Sequence, residues 1–331
     1  MATLDDIAKE LGVAKSTVSK ALNGAKDVSG AMRQAVLEKA VEMGYSRLPR
    51  SSNPLRIALF ITNMEYTKPD DFGYDLVAGF RKAAEPAGFC VEIIPLTMQL
   101  QEEISYDAFM VRENYCGGLF LGLDISQDPW MVEMENCKTP TVLYDNHVST
   151  NSNVTYIGTN NQEGMELAVK YLKSLGHTKI GYLTYELHSY IYQRRYYAFS
   201  QAMAENGLDF DSSMSGSARH VSECLNLHLP KLLAQGCTAI VCSHDFLAHS
   251  VMVHCQELGL SVPENVSILG FDDIPLCRYT VPPLTTIRQD RMNLGKSALY
   301  ALTSQMNHVC VSSLLLHAEL VVRGSCGPVS E

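Results

Sequence analysis

Apolar residues recur at helical spacing from the start of the chain. In LDDIAKEL (residues 4–11) Leu4, Ile7, Ala8 and Leu11 share one face. Asp5 and Asp6 occupy the first turn, where the helix dipole favours acids, and Thr3 is placed as the cap. Gly12 ends this helix, and Val13 begins a short apolar plug. KSTVSKAL (15–22) turns Val18, Ala21 and Leu22 inward, and Asn23-Gly24 stops it. A third helix over 29–43 repeats Met32, Val36, Ala40 and Met43, and Gly44 closes it. From residue 56 the pattern changes to short apolar runs alternating with amphipathic ones. Strands are expected at 56–62, 90–96, 117–123 and 140–146, with helices at 72–88 and 129–137 and a helical stretch before 117. Helices at 161–176, 192–207, 223–236 and 245–259 then alternate with strands at 179–185, 238–243 and 266–272. Near-continuous apolar strands of this kind belong in parallel sheets covered by helices on both faces. Two such sheets make two lobes, with ligands expected beyond the carboxyl ends of the strands.

The second short helix leaves Lys15, Ser16, Thr17, Ser19 and Lys20 outward. Two short helices joined by a Gly-containing turn, the second with such a face, form a helix-turn-helix. Lys15, Ser16 and Lys20 would meet base edges in the major groove, and Thr3, Thr17 and Ser19 would hold phosphates. Asn23, at the end of the same helix, joins this DNA-binding set. An ordinary small helical bundle with a solvated polar face fits the same pattern, and charge alone does not separate the two.

Charge changes the picture by its distribution. The 331 residues carry a net charge of −10, yet residues 1–50 hold eight basic and six acidic side chains, leaving −12 for the remainder. A slightly basic head on an acidic body fits a DNA-binding module joined to something that is not one. The 19% charged and 46% hydrophobic composition excludes a disordered chain. No run approaches the roughly 18 apolar residues of a spanning helix, and MATLDDIAKE lacks the apolar core of a signal peptide, so a cytoplasmic protein without a membrane partner is expected. Ten scattered cysteines without a C-x-x-C pair point to free thiols. CSHDFLAHSVMVHC offers Cys242, His244, His249, His254 and Cys255 for a metal, but histidines five apart on a helix point about 140° from one another. No metal and no cofactor are expected.

TLDDIAKELGVAKSTVSKALNG followed by VSGAMRQAVLEKAVEMGY resembles the head of the lac-repressor (LacI/GalR) family of bacterial transcription regulators, over all of residues 1–45. The resemblance places Lys15, Ser16 and Lys20 on the family's base-reading positions. Ala14 departs from it where the family has a capping serine, at a cost of about 1 kcal/mol. Gly30-Ala31-Met32 departs where the family favours a Glu-Thr pair. The linker at 46–56, SRLPRSSNPLR, holds two prolines and lacks the family's Ala-Arg-x-Leu hinge signature. Binding without the family's leucine wedge, and with less bending of DNA, is therefore expected. Arg47, Arg50 and Arg56 would neutralise phosphates there, or the segment is a plain flexible tether.

The same resemblance extends through LAVKYLKSLGHTKIGYL and VPENVSILGFDDIPLCRYTVPPLTTIRQD. It implies an all-α helix-turn-helix head (1–45) and an α/β, doubly wound, periplasmic-binding-protein-like body at 57–331. The N-lobe would take 57–157 and 289–313, and the C-lobe 158–288 and 314–325. By position, Arg195 matches the family arginine that grips an effector, and Asp272 the aspartate that accepts from vicinal hydroxyls. His244 stands where asparagine is common, Phe72 matches one of two flanking aromatics with Gly73 at the other, Ser189 matches a lesser contact, and Asp145 ends the strand TVLYD at the mouth of the expected cleft. Phe72 reads equally as core, Asp145 as a cap or bridge, and Arg194 replaces Arg195 if the register slips by one.

The expected protein is thus not an enzyme but a homodimeric repressor, binding operator DNA under control of a sugar-like effector. A carbohydrate-metabolising enzyme with an appended head is the alternative, but neither a nucleophile–base pair nor a phosphate-binding glycine loop is present. Without heptads after Arg323, a C-terminal zipper tetramer is not expected.

Overall fold

The structure is a computed structural model and describes residues 2–25, 27–45, 54–123, 128–185 and 189–329. It opens with α1 (Leu4–Leu11), α2 (Lys15–Leu22) and α3 (Gly30–Glu42), whose Ile7, Val18, Leu22, Val36 and Ala40 share one small core. Thr3 caps α1 reciprocally. Its hydroxyl accepts from the Asp6 N–H at 3.2 Å, while its own N–H donates to the Asp6 carboxylate at 2.8 Å. Gly12, at φ 65°, makes the turn into α2, whose N-cap residue, Ala14, supplies no side-chain cap.

The chain continues through β1 (Leu55–Ile61), α4 (Tyr74–Ala84), β2 (Phe89–Pro95), α5 (Met98–Glu103), α6 (Tyr106–Glu113), β3 (Gly117–Leu121), α7 (Pro129–Glu133), β4 (Thr141–Tyr144) and β5 (Val154–Thr159). A second run follows with α8 (Asn161–Ser174), β6 (Ile180–Tyr185), α9 (Tyr190–Glu205), β7 (Ser215–Ala218), α10 (Val221–Glu223), α11 (Leu229–Ala234), β8 (Ala239–Cys242), α12 (Asp245–Glu257), β9 (Ser267–Asp272) and β10 (Thr285–Arg288). The chain ends with α13 (Arg291–Met306), β11 (Ser313–Leu316) and β12 (Glu319–Val321). Two six-stranded sheets result, in the orders β11-β5-β4-β3-β1-β2 and β12-β10-β9-β8-β6-β7. They belong to two compact units, residues 1–157 with 291–314 and residues 158–290 with 315–331.

In the first unit Phe60 of β1 stacks on Phe120 of β3 with centroids 4.6 Å apart, and Trp130 meets Phe60 edge-on at 5.4 Å. On the other face α4 and α13 touch backbone to backbone. A Cβ at Gly79 would lie 2.0 Å from the Met292 carbonyl oxygen, and one at Gly295 2.1 Å from that of Leu76. The second unit packs Tyr182, Phe199, Leu269 and Phe271 between β6, β9 and the helices α8 and α9.

Three sequence expectations need correction. The strands are parallel where β1, β3, β4, β6, β8 and β9 pair, but β12 runs antiparallel to β10. The helix expected over 223–236 is interrupted by a π turn at Cys224–His228. Pro230 lacks an N–H and crowds the carbonyl four residues back, which forces the ladder to widen there. Finally, β1 is Leu55–Ile61, one residue from the expected 56–62, so Leu55 and Arg56 belong to the body and not to the linker expected at 46–56. Arg56 donates to Glu92 at 2.8 and 2.6 Å and lies 4.6 Å from the Tyr115 ring centroid, so it is committed within the first unit rather than to phosphates. Residues 46–53, with Arg47 and Arg50, lie outside the described residues, as does the rest of the linker expectation.

Candidate DNA interface and effector site

α2 presents Lys15, Ser16 and Lys20 to solvent and leaves Thr17 and Ser19 half-buried. Both lysines already have an acidic neighbour, Lys15 reaching Asp5 at 2.6 Å and Lys20 reaching Asp27 at 2.5 Å. Exposed pairs of this kind are worth about 0–1 kcal/mol, so a phosphate or base edge displaces them at little cost. Asn23 donates its amide to the Ser19 carbonyl at 2.7 Å, closing the helix. The Thr3 hydroxyl donates to Asp6 at 2.7 Å.

Within the second unit a buried polar cluster forms at the carboxyl ends of β8 and β9. Arg195, on α9, is 3% exposed, and its neighbour Arg194 is exposed. The Arg195 guanidinium donates to Asp272 at 3.1 Å, to the Ser243 carbonyl at 2.5 Å and to Asn161 at 3.2 Å, and sits 3.9 Å over the Phe271 ring. Asp272 also accepts from Gln289 at 2.6 Å, and Gln289 in turn accepts from Thr159 at 2.8 Å. The strand turns sharply at this point, with Asp272 at φ 120° and Asp273 at φ 52°. Asp is among the residues that tolerate positive φ, and such backbone strain gathers at functional sites. Arg288 and Arg323 clamp Asp273 at 2.7 and 2.5 Å and hold its carboxyl below the usual range against the opposing effect of burial.

His244 follows Ser243 and caps α12, its Nδ1 accepting from the Leu247 N–H at 3.0 Å. Burial, and then the charge of Arg195, push it down to about 3. Asp245 accepts from Thr286 at 2.5 Å and from the Ile274 N–H at 3.0 Å. Burial and the negative charge of Asp272 push it up to about 7. Gly270 is what admits it, since a Cβ there would lie 2.2 Å from the Asp245 carboxylate.

The structure therefore brings Arg195, Asp272 and His244 together. Ser189 is the N-cap residue of α9 and makes no side-chain cap bond. Phe72 and Asp145 belong to the first unit. Phe72 is half-buried with Arg291 at 5.1 Å from its ring, and Asp145 follows β4 at φ 58°. At Gly73 a Cβ would already lie 2.9 Å from the Glu65 carbonyl oxygen, so this backbone has no room for a second aromatic there. Asn161, Gln289 and Asp245 were not legible as members of this cluster, because nothing in local spacing distinguishes them from other polar positions at element ends. Among the described residues no three His, Cys, Asp or Glu side chains converge as a metal site, and no helix is long and apolar enough to cross a membrane.

Comparison with known proteins matches residues 3–47 to the family described as bacterial regulatory proteins, lacI family, and residues 169–326 to a periplasmic binding protein-like domain. The chain is 30% identical over 333 residues to the HTH-type transcriptional repressor CytR of Escherichia coli (strain K12), covering 98% of this chain and 96% of that protein. The fold is shared with a transcriptional regulator CelR–cellobiose complex, at TM-score 0.70, 23% identity and coverage of 98% and 100% of the two chains. It is also shared with the lac repressor dimer bound to operator and the anti-inducer ONPF, at TM-score 0.64, 24% identity and 98% of each chain.

Proposed function

The chain belongs to the lacI family of bacterial regulatory proteins, and from that premise we infer that it is a homodimeric repressor whose hold on operator DNA is set by a small neutral, sugar-like molecule. The protein is a DNA-binding transcription regulator. It acts in the cytoplasm, by binding rather than by catalysis. The observation that carries this reading is α2, which presents Lys15, Ser16 and Lys20 outward inside a head that matches the family from residue 3 to 47. Thr3, Thr17, Ser19 and Asn23 complete the proposed DNA contacts, and Phe72, Asp145, Ser189, Arg195, His244 and Asp272 the proposed effector contacts.

A dimer follows from the need to read two half-sites about one helical turn apart, because one head offers few contacts. The second unit has a surface suited to it. Phe246 and Val253 of α12 are exposed, as are Tyr279 and Val281 at 79% each, and Gln256 ties the end of α12 to the second segment by donating to the Val281 carbonyl at 2.8 Å.

Selection of bound duplexes from a random pool by the full-length protein should enrich a two-fold symmetric site. Failure to enrich any sequence overturns the reading. For the effector half, Asp272→Ala would leave the buried Arg195 with neither counter-charge nor acceptor, at a cost of about 3–5 kcal/mol; asparagine also removes the charge but keeps an acceptor for Arg195 and Gln289, so it is the milder probe. A ligand at 100 times its dissociation constant adds about 2.7 kcal/mol of stability. Asp272→Asn should lose that gain while binding the selected DNA as wild type does; full retention counts against this pocket.

A further inference from the structure

We propose a second ligand site, where the head meets the rest of the first unit, that takes a compact organic cation with an apolar body. Three helices end against one cavity of about 380 Å³, a size suited to a small molecule. α3 reaches it through Val41 and Tyr45, α6 through Met110 and Val111, and α13 through Met306 and His308. Val111 also packs against the apolar core of the head, so α6 and α3 are in contact beside the cavity. Each helix is closed by a lining residue at positive φ, Gly44 at 63°, Asn114 at 64° and His308 at 62°. The last carbonyls of a helix have no partner within it and carry the negative end of its dipole, so three such ends favour a positive charge.

The fold already meets one of these ends with a cation, because Arg56 donates to the Glu113 carbonyl at the close of α6. The other two lack such a partner in their own last turns. α13 carries no basic residue there, and Lys39 of α3 is held by Glu42 at 2.5 Å. Among the described residues Asp107 is the one carboxylate in the lining. The Lys138 and Thr139 N–H groups hold it at 2.8 and 3.0 Å, so its charge stays in place. Lys138 also lines the cavity but is exposed, where water weakens its repulsion of a second cation. Val41, Met110, Val111 and Met306 offer an apolar body a place out of water. Because one wall is the head and the others are not, an occupant ties the head down. The site is thus an input to the head that is separate from Arg195 and Asp272, which lie in the other unit.

The test titrates the full-length protein calorimetrically with 1-aminoadamantane, adamantan-1-ol and adamantane-1-carboxylate, which share a body and differ in charge. The amine should bind one site per chain, about tenfold or more tightly than either counterpart. Its affinity should fall about tenfold in Met306→Trp, which fills the cavity, and about threefold in Asp107→Asn, while Lys138→Gln should raise it about threefold. Asp272→Asn should bind it as wild type does. The Tyr45 and Tyr115 N–H groups close α3 and α6 by donating to the Ala40 and Met110 carbonyls at 2.8 and 2.9 Å. Bound amine should slow hydrogen exchange of both. No binding of the amine, equal binding of the three probes, or undiminished binding by Met306→Trp and Asp107→Asn overturns the proposal. So does protection of one amide without the other, or loss of binding in Asp272→Asn, which would put the amine in the second unit.

Discussion

A carboxyl buried beside another carboxylate keeps its proton to a higher pH. Asp245 is in that position, and its pKa of about 7 compares with about 4 in an unfolded chain. Between those values the folded protein holds a proton that the unfolded chain has released. The stabilisation from this group is therefore complete below about pH 4 and is lost as the pH rises through 7. Asp245→Asn should abolish that part of the slope, so that calorimetric melting of wild type falls relative to the variant on going from pH 5 to pH 8. Parallel curves for the two proteins would refute the assignment. At this scale the sequence placed Asp272 at the end of its strand and Arg195 on the helix that follows β6, as the structure does. Asn161 and Gln289, which complete the hydrogen bonds of that pair, are 128 residues apart and meet only through the tertiary fold. His244 was visible by position, but the bond by which it caps α12 was not.

Elements with strong periodicity were legible almost to the residue. The three head helices begin and end within one residue of expectation, because apolar spacing, Gly12, Asn23-Gly24 and Gly44 all agree. The strands β5, β7, β10, β11 and β12 were not anticipated. Several are short, and VTYIGT, SGSA and TTIR carry Thr, Ser and Gly where the central strands carry apolar runs. The close crossing of α4 and α13 through Gly79 and Gly295 was equally hidden, since a lone glycine in a helical run says nothing of its partner. The bare start of α2 is the element most open to improvement. Ala14→Ser would supply an acceptor to the first turn and stabilise it by about 1 kcal/mol. Hydrogen exchange of the Thr17 amide in the full-length protein should slow about fivefold; an unchanged rate would show that α2 gains nothing from the cap.

For the whole molecule, the segregation of charge was readable by counting, while the division into two units with three chain crossings depended on the resemblance. That division puts the proposed DNA contacts in one unit and Arg195, His244 and Asp272 in the other. The feature with the widest reach is the pairing of Lys15 with Asp5 and of Lys20 with Asp27. These carboxylates compete with the polyanion for the same cations, and each exposed pair is worth about 0.2–1 kcal/mol. Asp5→Asn with Asp27→Asn should raise affinity for unrelated duplex about fivefold at fixed salt, with a smaller gain at the selected site. Equal gains on both DNAs would rule out such a bias. With Lys15 and Lys20 as the proposed reading cations, the head would arrive at the chromosome already shielded by its own surface, so that arbitrary stretches would hold it only briefly before base edges offer more than charge.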